Sequence, residues 1–309
     1  MNEIMLEKSG YFKHKNIIIS TPDEKSWFSA MPTFGGRITQ LVLHDSQNET
    51  PLLQEFEDDV EKDITYKQAF LVPFANKINN GTFNFLGEQY QMKPNDVKQH
   101  HSVHGFLHSV QMEVREIASS SVTFEYDYKG DQPGYPFLFS TTIHYSIHPV
   151  KGFTCAVTIK NSGTGDMPLS VGWHPYFYVQ NNMNEAQLRL PGCERCIVGN
   201  NNIPVGAYIK NEEFLNWESI GSKILNNCYK IGATPSISEI GLRYSNRVVT
   251  IWQESARFPF FQIYTPPDRR SIAIEPVSSC IDSFNNKDGL LILKPMEEWK
   301  GMFGIKLQL

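Results

Sequence analysis

Leu138-Phe139-Ser140-Thr141-Thr142-Ile143-His144-Tyr145-Ser146-Ile147-His148 and Phe153-Thr154-Cys155-Ala156-Val157-Thr158-Ile159-Lys160 flank the turn Pro149-Val150-Lys151-Gly152. Apolar and polar residues alternate along both runs, the period of a strand with one buried face. A short Pro/Gly turn between two such runs predicts an antiparallel pair. The same period extends outward. Arg37 to Leu43 reads as a half-buried strand, and Val122 to Tyr128 alternates still more cleanly. Thr82 to Tyr90 predicts a hairpin with Gly87 near its turn. Val248–Gln253, Phe260–Tyr264, Ser271–Glu275 and Leu290–Leu293 continue the pattern.

Helical periodicity is scarce, with room for a turn or two at 55–70 and at 211–221. Long helices do not alternate with strands, which disfavours a doubly wound α/β fold. Many short strands punctuated by Gly, Pro and Asn predict an all-β chain, a sandwich or a barrel. An aromatic content of 12%, with 20 Phe and 13 Tyr, fits pleated, half-buried surfaces. No internal repeat or linker breaks the 309 residues, so residues 1–309 are expected to form one domain.

A net charge of −5 without a Lys/Arg cluster argues against nucleic acid and anionic membranes as partners. The first twenty residues lack the apolar core of a signal peptide, and no run approaches the ~18 apolar residues of a spanning helix. The expected location is the cytoplasm. The five cysteines suggest no disulfide framework. Cys193 and Cys196 make a lone CxxC, read as two reduced thiols in a loop rather than a metal or redox motif.

Four segments concentrate polar groups in apolar surroundings. Gln99 to His108 holds four of the nine histidines, His100, His101, His104 and His108. Two pairs have the spacing of a helical zinc site, but no carboxylate interleaves and Gly105 weakens a helix. The segment reads as a loop with at least one histidine available to a ligand. Leu169 to Phe177 wraps His174 in aromatic residues that suit the C–H faces of a sugar ring. Pro175 blocks a central strand position there and argues for a strand end facing a cleft. In Ser271 to Ser278, Glu275 ends a short apolar strand before Pro276. A buried carboxylate there requires a partner or a task. Pro73 to Gly81 is a turn-rich loop that reads locally as a solvated turn, although Asn76 and Lys77 carry donors suited to hydroxyls.

In order and spacing these segments resemble the aldose 1-epimerase (galactose mutarotase) family. The likeness is carried by Asn76-Lys77-Ile78, Gly81-Thr82-Phe83, Tyr90 to Asn95, His104-Gly105, His174-Pro175-Tyr176-Phe177, Glu275-Pro276 and the tail Asp288 to Pro295. The resemblance implies a twisted β-sandwich with an open cleft, His174 as general acid, Glu275 as general base, and His104 assisting at the ring oxygen. It depicts ring opening, rotation about C1–C2 and reclosure, interconverting the α and β anomers of a free aldohexose without metal or cofactor. Glu275 is then expected ionised and His174 protonated at neutral pH. Asn76, Lys77, Asn226, Gln262 and Tyr176 are the expected sugar contacts, Gln262 because its strand should run beside that of Glu275. Two positions depart from the family pattern: Lys77 stands for an arginine, losing the planar fork, and Asn226 for an aspartate, losing a charge. A hexose-phosphate 1-epimerase, a non-catalytic sugar-binding or sensor protein, and a glycoside hydrolase are the rivals. The first would call on Arg269-Arg270, and the last needs a second carboxylate. A monomer or a homodimer is expected.

Overall fold

The computed structural model describes residues 16–45, 49–56, 63–96, 98–180, 183–232 and 235–308. The pair that opens the sequence argument forms as Phe139–His148 and Gly152–Asn161, in register from Phe139 opposite Asn161 to His148 opposite Gly152. Gly152 has φ +74, and a Cβ there would stand 2.2 Å from the Ile305 carbonyl oxygen, so the turn requires glycine. Phe139, Ile143, Tyr145 and Ile147 all point into the core.

This pair lies within a nine-stranded sheet. Its order is Glu113–Ala118, Ser121–Tyr128, Phe139–His148, Gly152–Asn161, Glu298–Gln308, Arg247–Glu254, Ile237–Tyr244, Gln187–Arg189 and Glu218–Ser219. An eight-stranded sheet comprises Pro204–Lys210, Cys193–Val198, Asn226–Ile231, Phe260–Tyr264, Ser271–Val277, Gly172–Trp173 and Phe70–Leu71, with Tyr176–Tyr178 also pairing with Ser271–Val277. The pairings between these strands are antiparallel.

Aromatic side chains join the two sheets. Trp173 stacks on Phe303 with centroids 5.1 Å apart, and Phe70 lies 6.2 Å from Tyr145 and 6.1 Å from Phe303. A four-stranded sheet, Ile17–Ser20, Trp27–Met31, Arg37–His44 and Glu49–Pro51, feeds the same core through Phe28, which meets Tyr145 and Phe153 edge-on. The fold is a large antiparallel β-sandwich. Among the described residues no helix is long and apolar enough to cross a membrane.

Four expectations need correction. The strand at Arg37 is buried on both faces, because it is covered by the sandwich as well as by its own sheet. No helix forms at 211–221 or in the described part of 55–70 (57–62 lie outside it). In the second stretch the Asp63 carboxylate accepts hydrogen bonds from the Thr65 and Lys67 backbone N–H groups, a local turn that outcompetes a helix. In the first, Asn211 bonds the Glu213 carbonyl and Phe214 takes φ +62. Glu275 does not end its strand, which runs on through Pro276 to Val277. Alternation turns the Pro276 nitrogen towards the break between Gly172–Trp173 and Tyr176–Tyr178, where a missing donor costs little. Cys193 and Cys196 lie on a strand, not in a loop.

Trp173→Ala should therefore cost about 3–5 kcal/mol of stability. Urea unfolding would read this as a lower midpoint at unchanged slope, and a midpoint within error of the parent would refute the role given to the Trp173–Phe303 stack.

Candidate functional site

Strand alternation builds the floor. Along Ser271–Val277 the side chains of Ile272, Ile274 and Pro276 take one face and those of Ala273, Glu275 and Val277 the other. Ile272 and Ile274 belong to the large core, so Glu275 faces away from it. Gln262 sits directly opposite Glu275 on the neighbouring strand, as expected, and Cys228 opposite Gln262 on the next. Asn226 Oδ1 accepts from Gln262 Nε2 at 2.8 Å, which orients the amide. Tyr176 lies opposite Ala273 on the other side.

His174 occupies the break between two short strands, as Pro175 implied. Its backbone is fixed on both sides: its N–H donates to the Ala69 carbonyl at 3.0 Å and its carbonyl accepts from the Gln68 N–H at 2.9 Å. Its Nε2 stands 3.4 Å from Glu275 Oε1, with the two side chains only 7% and 2% exposed. Tyr176 stacks flat on the imidazole at 4.9 Å, and His104 meets it edge-on at 5.1 Å.

His104 is held by an unusual backbone. It has φ +65, and its N–H donates to the Asn76 carbonyl at 2.7 Å. Gly105 follows with φ +64, and a Cβ there would lie 2.2 Å from the Val72 carbonyl oxygen. The histidine loop is thus held to the Asn76 loop by a backbone bond, and its close approach to Val72 requires glycine at 105. Lys77 pairs in register with Val103, but its ammonium reaches Gln99 Oε1 at 3.4 Å and the Asn201 carbonyl at 3.2 Å. It is half-buried at the rim, where Asn76 is also half-buried.

Burial sets the charges. It drives His174 down to about 3 and lifts Glu275 well above the carboxylate range. His104 is lowered by burial first and by His174, His108 and Lys77 after it. Both shifts run against the charge-separated pair expected for the resting state, since burial favours the neutral imidazole and the protonated carboxyl. Glu275 Oε2, His104 Nδ1 and Gln262 Oε1 are buried without a hydrogen-bond partner among the described residues. Buried polar atoms in that condition call for a partner, and the hydroxyls of a polar ligand could supply one here.

The structure brings His174, Glu275, His104, Tyr176, Gln262 and Asn226 to one face, and places Asn76 and Lys77 on the loop bonded to His104. Sequence reading missed Tyr66, whose ring packs on His104 at 4.8 Å and on His108 at 4.9 Å. It also missed the buried Arg37–Asp63 pair at 2.9 Å, 3% and 6% exposed, behind them. Asp63 organises the turn carrying Tyr66, and the Thr65 carbonyl accepts from the Tyr176 hydroxyl at 3.1 Å. Two buried charges held in so tight a pair fix geometry, since losing one partner typically costs about 3–5 kcal/mol. The available signal was weak: an arginine opening an apolar strand. Among the described residues no group of three or more His, Cys, Asp or Glu is arranged to hold a metal ion.

Comparison with known proteins places this arrangement. The chain is 24% identical to the uncharacterized protein YihR of Escherichia coli (strain K12) over 90% of each chain. Among solved structures it is similar to a galactose mutarotase-like protein from Clostridium acetobutylicum, with TM-score 0.82, 21% identity and coverage of 96% of this chain and 95% of that one. It is also similar to a GalM/aldose epimerase homologue from C. elegans, with TM-score 0.83, 20% identity and coverage of 95% and 98%. At these identities the structural likeness speaks for the fold. Residues 23–306 match the sequence profile of the family described as aldose 1-epimerase, and with nearly its whole length so matched the chain belongs to the aldose 1-epimerase family.

Proposed function

We propose that this chain is a mutarotase that interconverts the α and β anomers of a free aldohexose, with His174 and Glu275 moving the protons. The observation that carries this reading is the 3.4 Å approach of His174 Nε2 to Glu275 Oε1 in a site where both are buried. Mutarotation moves protons on two oxygens, the ring oxygen and the C1 hydroxyl, and both are bonded to C1. Two groups side by side suit two oxygens on one carbon. Carboxylates spaced to flank a glycosidic bond, as a hydrolase requires, are a different geometry.

The proton count also fits. A neutral imidazole with a protonated carboxyl and an imidazolium with a carboxylate are the same protonation state, so the pair carries one transferable proton in either form. A C1 hydroxyl donating to Glu275 favours the carboxylate, and the proton then passes to His174. His174 protonates the ring oxygen as Glu275 accepts from the C1 hydroxyl. The ring opens to the aldehyde, C1–C2 rotates, and the steps reverse on the other face. His104 stands beside His174 to hydrogen-bond at the ring oxygen, while Gln262, Asn76, Lys77 and Asn226 bond hydroxyls and Tyr176 presents its ring. A free sugar is favoured over a phosphorylated one by the arginines. Arg37 is sealed against Asp63, and Arg269 donates to the Lys223 carbonyl and Asn184 Oδ1, bracing a turn.

Polarimetry of freshly dissolved α-glucose and α-galactose is the direct test. Glu275→Gln and His174→Asn should each slow enzymatic equilibration by about 10²–10⁴, the usual worth of a positioned proton-transfer group. Wild-type protein that is folded yet no faster than buffer would sink the reading, leaving phosphorylated sugars or a binding role.

Gln262→Leu should raise KM about two- to tenfold with little change in kcat, the loss of one ordinary hydrogen bond. An equal fall in kcat at constant KM would contradict a ground-state contact.

The pH dependence has a definite sign. His174 is neutral in the free enzyme down to about 3, and Glu275 keeps its proton above the ordinary carboxylate range. The rate constant kcat/KM should stay level through the usual histidine value of about 6.5. It should fall on the acid side only as His174 gains a second proton, and on the alkaline side as Glu275 loses its own. An inflection near 6.5 that vanishes in His174→Asn would show a charged resting histidine instead.

A further inference from the structure

The CxxC at 193–196 does not pair with itself. Residues three apart on a strand point to opposite faces. Cys193 joins the large core, whereas Cys196 joins a separate apolar cluster on the outer face of the eight-stranded sheet. Two further cysteines meet Cys196 there. Cys280 lies 3.6 Å away, sulfur to sulfur, although 84 residues along the chain, and Cys228 packs in the same cluster. Tyr208, directly opposite Cys196 on the next strand, covers the cluster and is only half-buried, as are Val198 and Tyr66. Its hydroxyl donates to Asp288, whose other oxygen accepts from Lys230 Nζ at 2.8 Å.

We propose that Cys280 and Cys196 form a peroxide-oxidisable thiol pair that closes to a disulfide on the wall of the sugar cleft. All five cysteines are free in this structure. Cys280 is the attacking sulfur: it meets Cys196 at 3.6 Å, and its contacts with Cys196 first and Cys228 second hold its thiol below the ordinary range against the opposing effect of burial. Cys196 and Cys228 are pushed up by the same contacts and stay thiols. The Cys280 thiolate attacks hydrogen peroxide, one O–O bond breaks, and with one proton taken up the products are a sulfenic acid and water. The Cys196 sulfur then attacks the sulfenic sulfur, its proton leaves with the hydroxyl as a second water, and the disulfide forms. Peroxide is the two-electron oxidant, and a dithiol reductant reverses the step.

The bond would tie the strand Cys193–Val198 to the loop after Val277. That loop holds the candidate sugar loop, since the Asp282 N–H donates to the Lys77 carbonyl and Asp282 Oδ1 accepts from the Asn79 N–H. Lys77 in turn donates to the Asn201 carbonyl, in the turn after the linked strand. Resting on the mutarotase reading, oxidation should alter KM for the sugar more than kcat. The formation of the disulfide itself does not depend on that reading.

Trypsin places each cysteine on its own peptide: residues 152–160, 190–195, 196–210, 224–230 and 271–287. The full-length protein is treated with a slight excess of hydrogen peroxide, alkylated under denaturing conditions and mapped by mass spectrometry without reductant. The expected product is peptide 196–210 joined to 271–287, lighter by two hydrogens and separated by dithiothreitol. In Cys196→Ser the join should vanish and dimedone should label Cys280. Cross-linking of 271–287 to 224–230 instead would overturn the pairing. Oxidation spread evenly over Cys155 and Cys193, or none before the protein unfolds, would overturn the site, and the wild-type map alone decides this if the variant fails to fold.

Discussion

The register between Phe260–Tyr264 and Ser271–Val277 is the constraint on which the site rests. It puts Gln262 beside Glu275 on the outer face while Phe261, Ile263, Ile272 and Ile274 fill the space between the sheets. A slip by one residue would carry Glu275 into the core and two isoleucines out of it. The stacking of Trp173 on Phe303 and the rest of the aromatic core oppose that slip, so the energetics of the sandwich and the placement of the carboxylate are one problem. The strand is interrupted on its other side at His174 and Pro175, and the interruption frees the imidazole to reach the carboxylate.

Burial then governs the chemistry. Two ionisable groups so far from water resist charge, and burial accordingly moves the imidazole down and the carboxyl up. In the proposed reaction a charge-separated pair forms only when a ligand's hydroxyls supply the hydrogen bonds that water would give. On that reading the site acts as a solvent for one proton transfer, with its polar atoms fixed in advance. The same low polarity explains why the ion pair nearby, Arg37 with Asp63, is so tightly closed and why it shapes the Tyr66 turn.

The outer face of one sheet thus carries two neighbouring chemistries. One is the His174–Glu275 pair and its polar surroundings. The other is the cluster of Cys196, Cys228 and Cys280 under Tyr208. Cys228 stands opposite Gln262, so the two share a wall, and the Asp282 hydrogen bonds link the second to the loop of Asn76 and Lys77.

The period-two alternation by itself determined that the chain is all-β, because a half-buried strand writes its burial into every second residue; the choice of sandwich over barrel came with the family resemblance. It also exposed His174, Glu275 and the neighbouring strand of Gln262, since a histidine before proline and a carboxylate in an apolar run contradict their local surroundings. Tertiary structure decided what depends on distant partners. It turned the helical hints at 63–70 and 211–221 into turns, through side-chain bonds to nearby backbone. It tied Lys77 to Gln99 and Asn201, and it separated Cys193 from Cys196 while bringing Cys280 to the latter. Burial also moves His174 down and Glu275 up, against the charges expected of them. Local pattern records which side of a strand a residue faces, but the depth at which it is buried and the residue it meets across the sheets are properties of the packed chain.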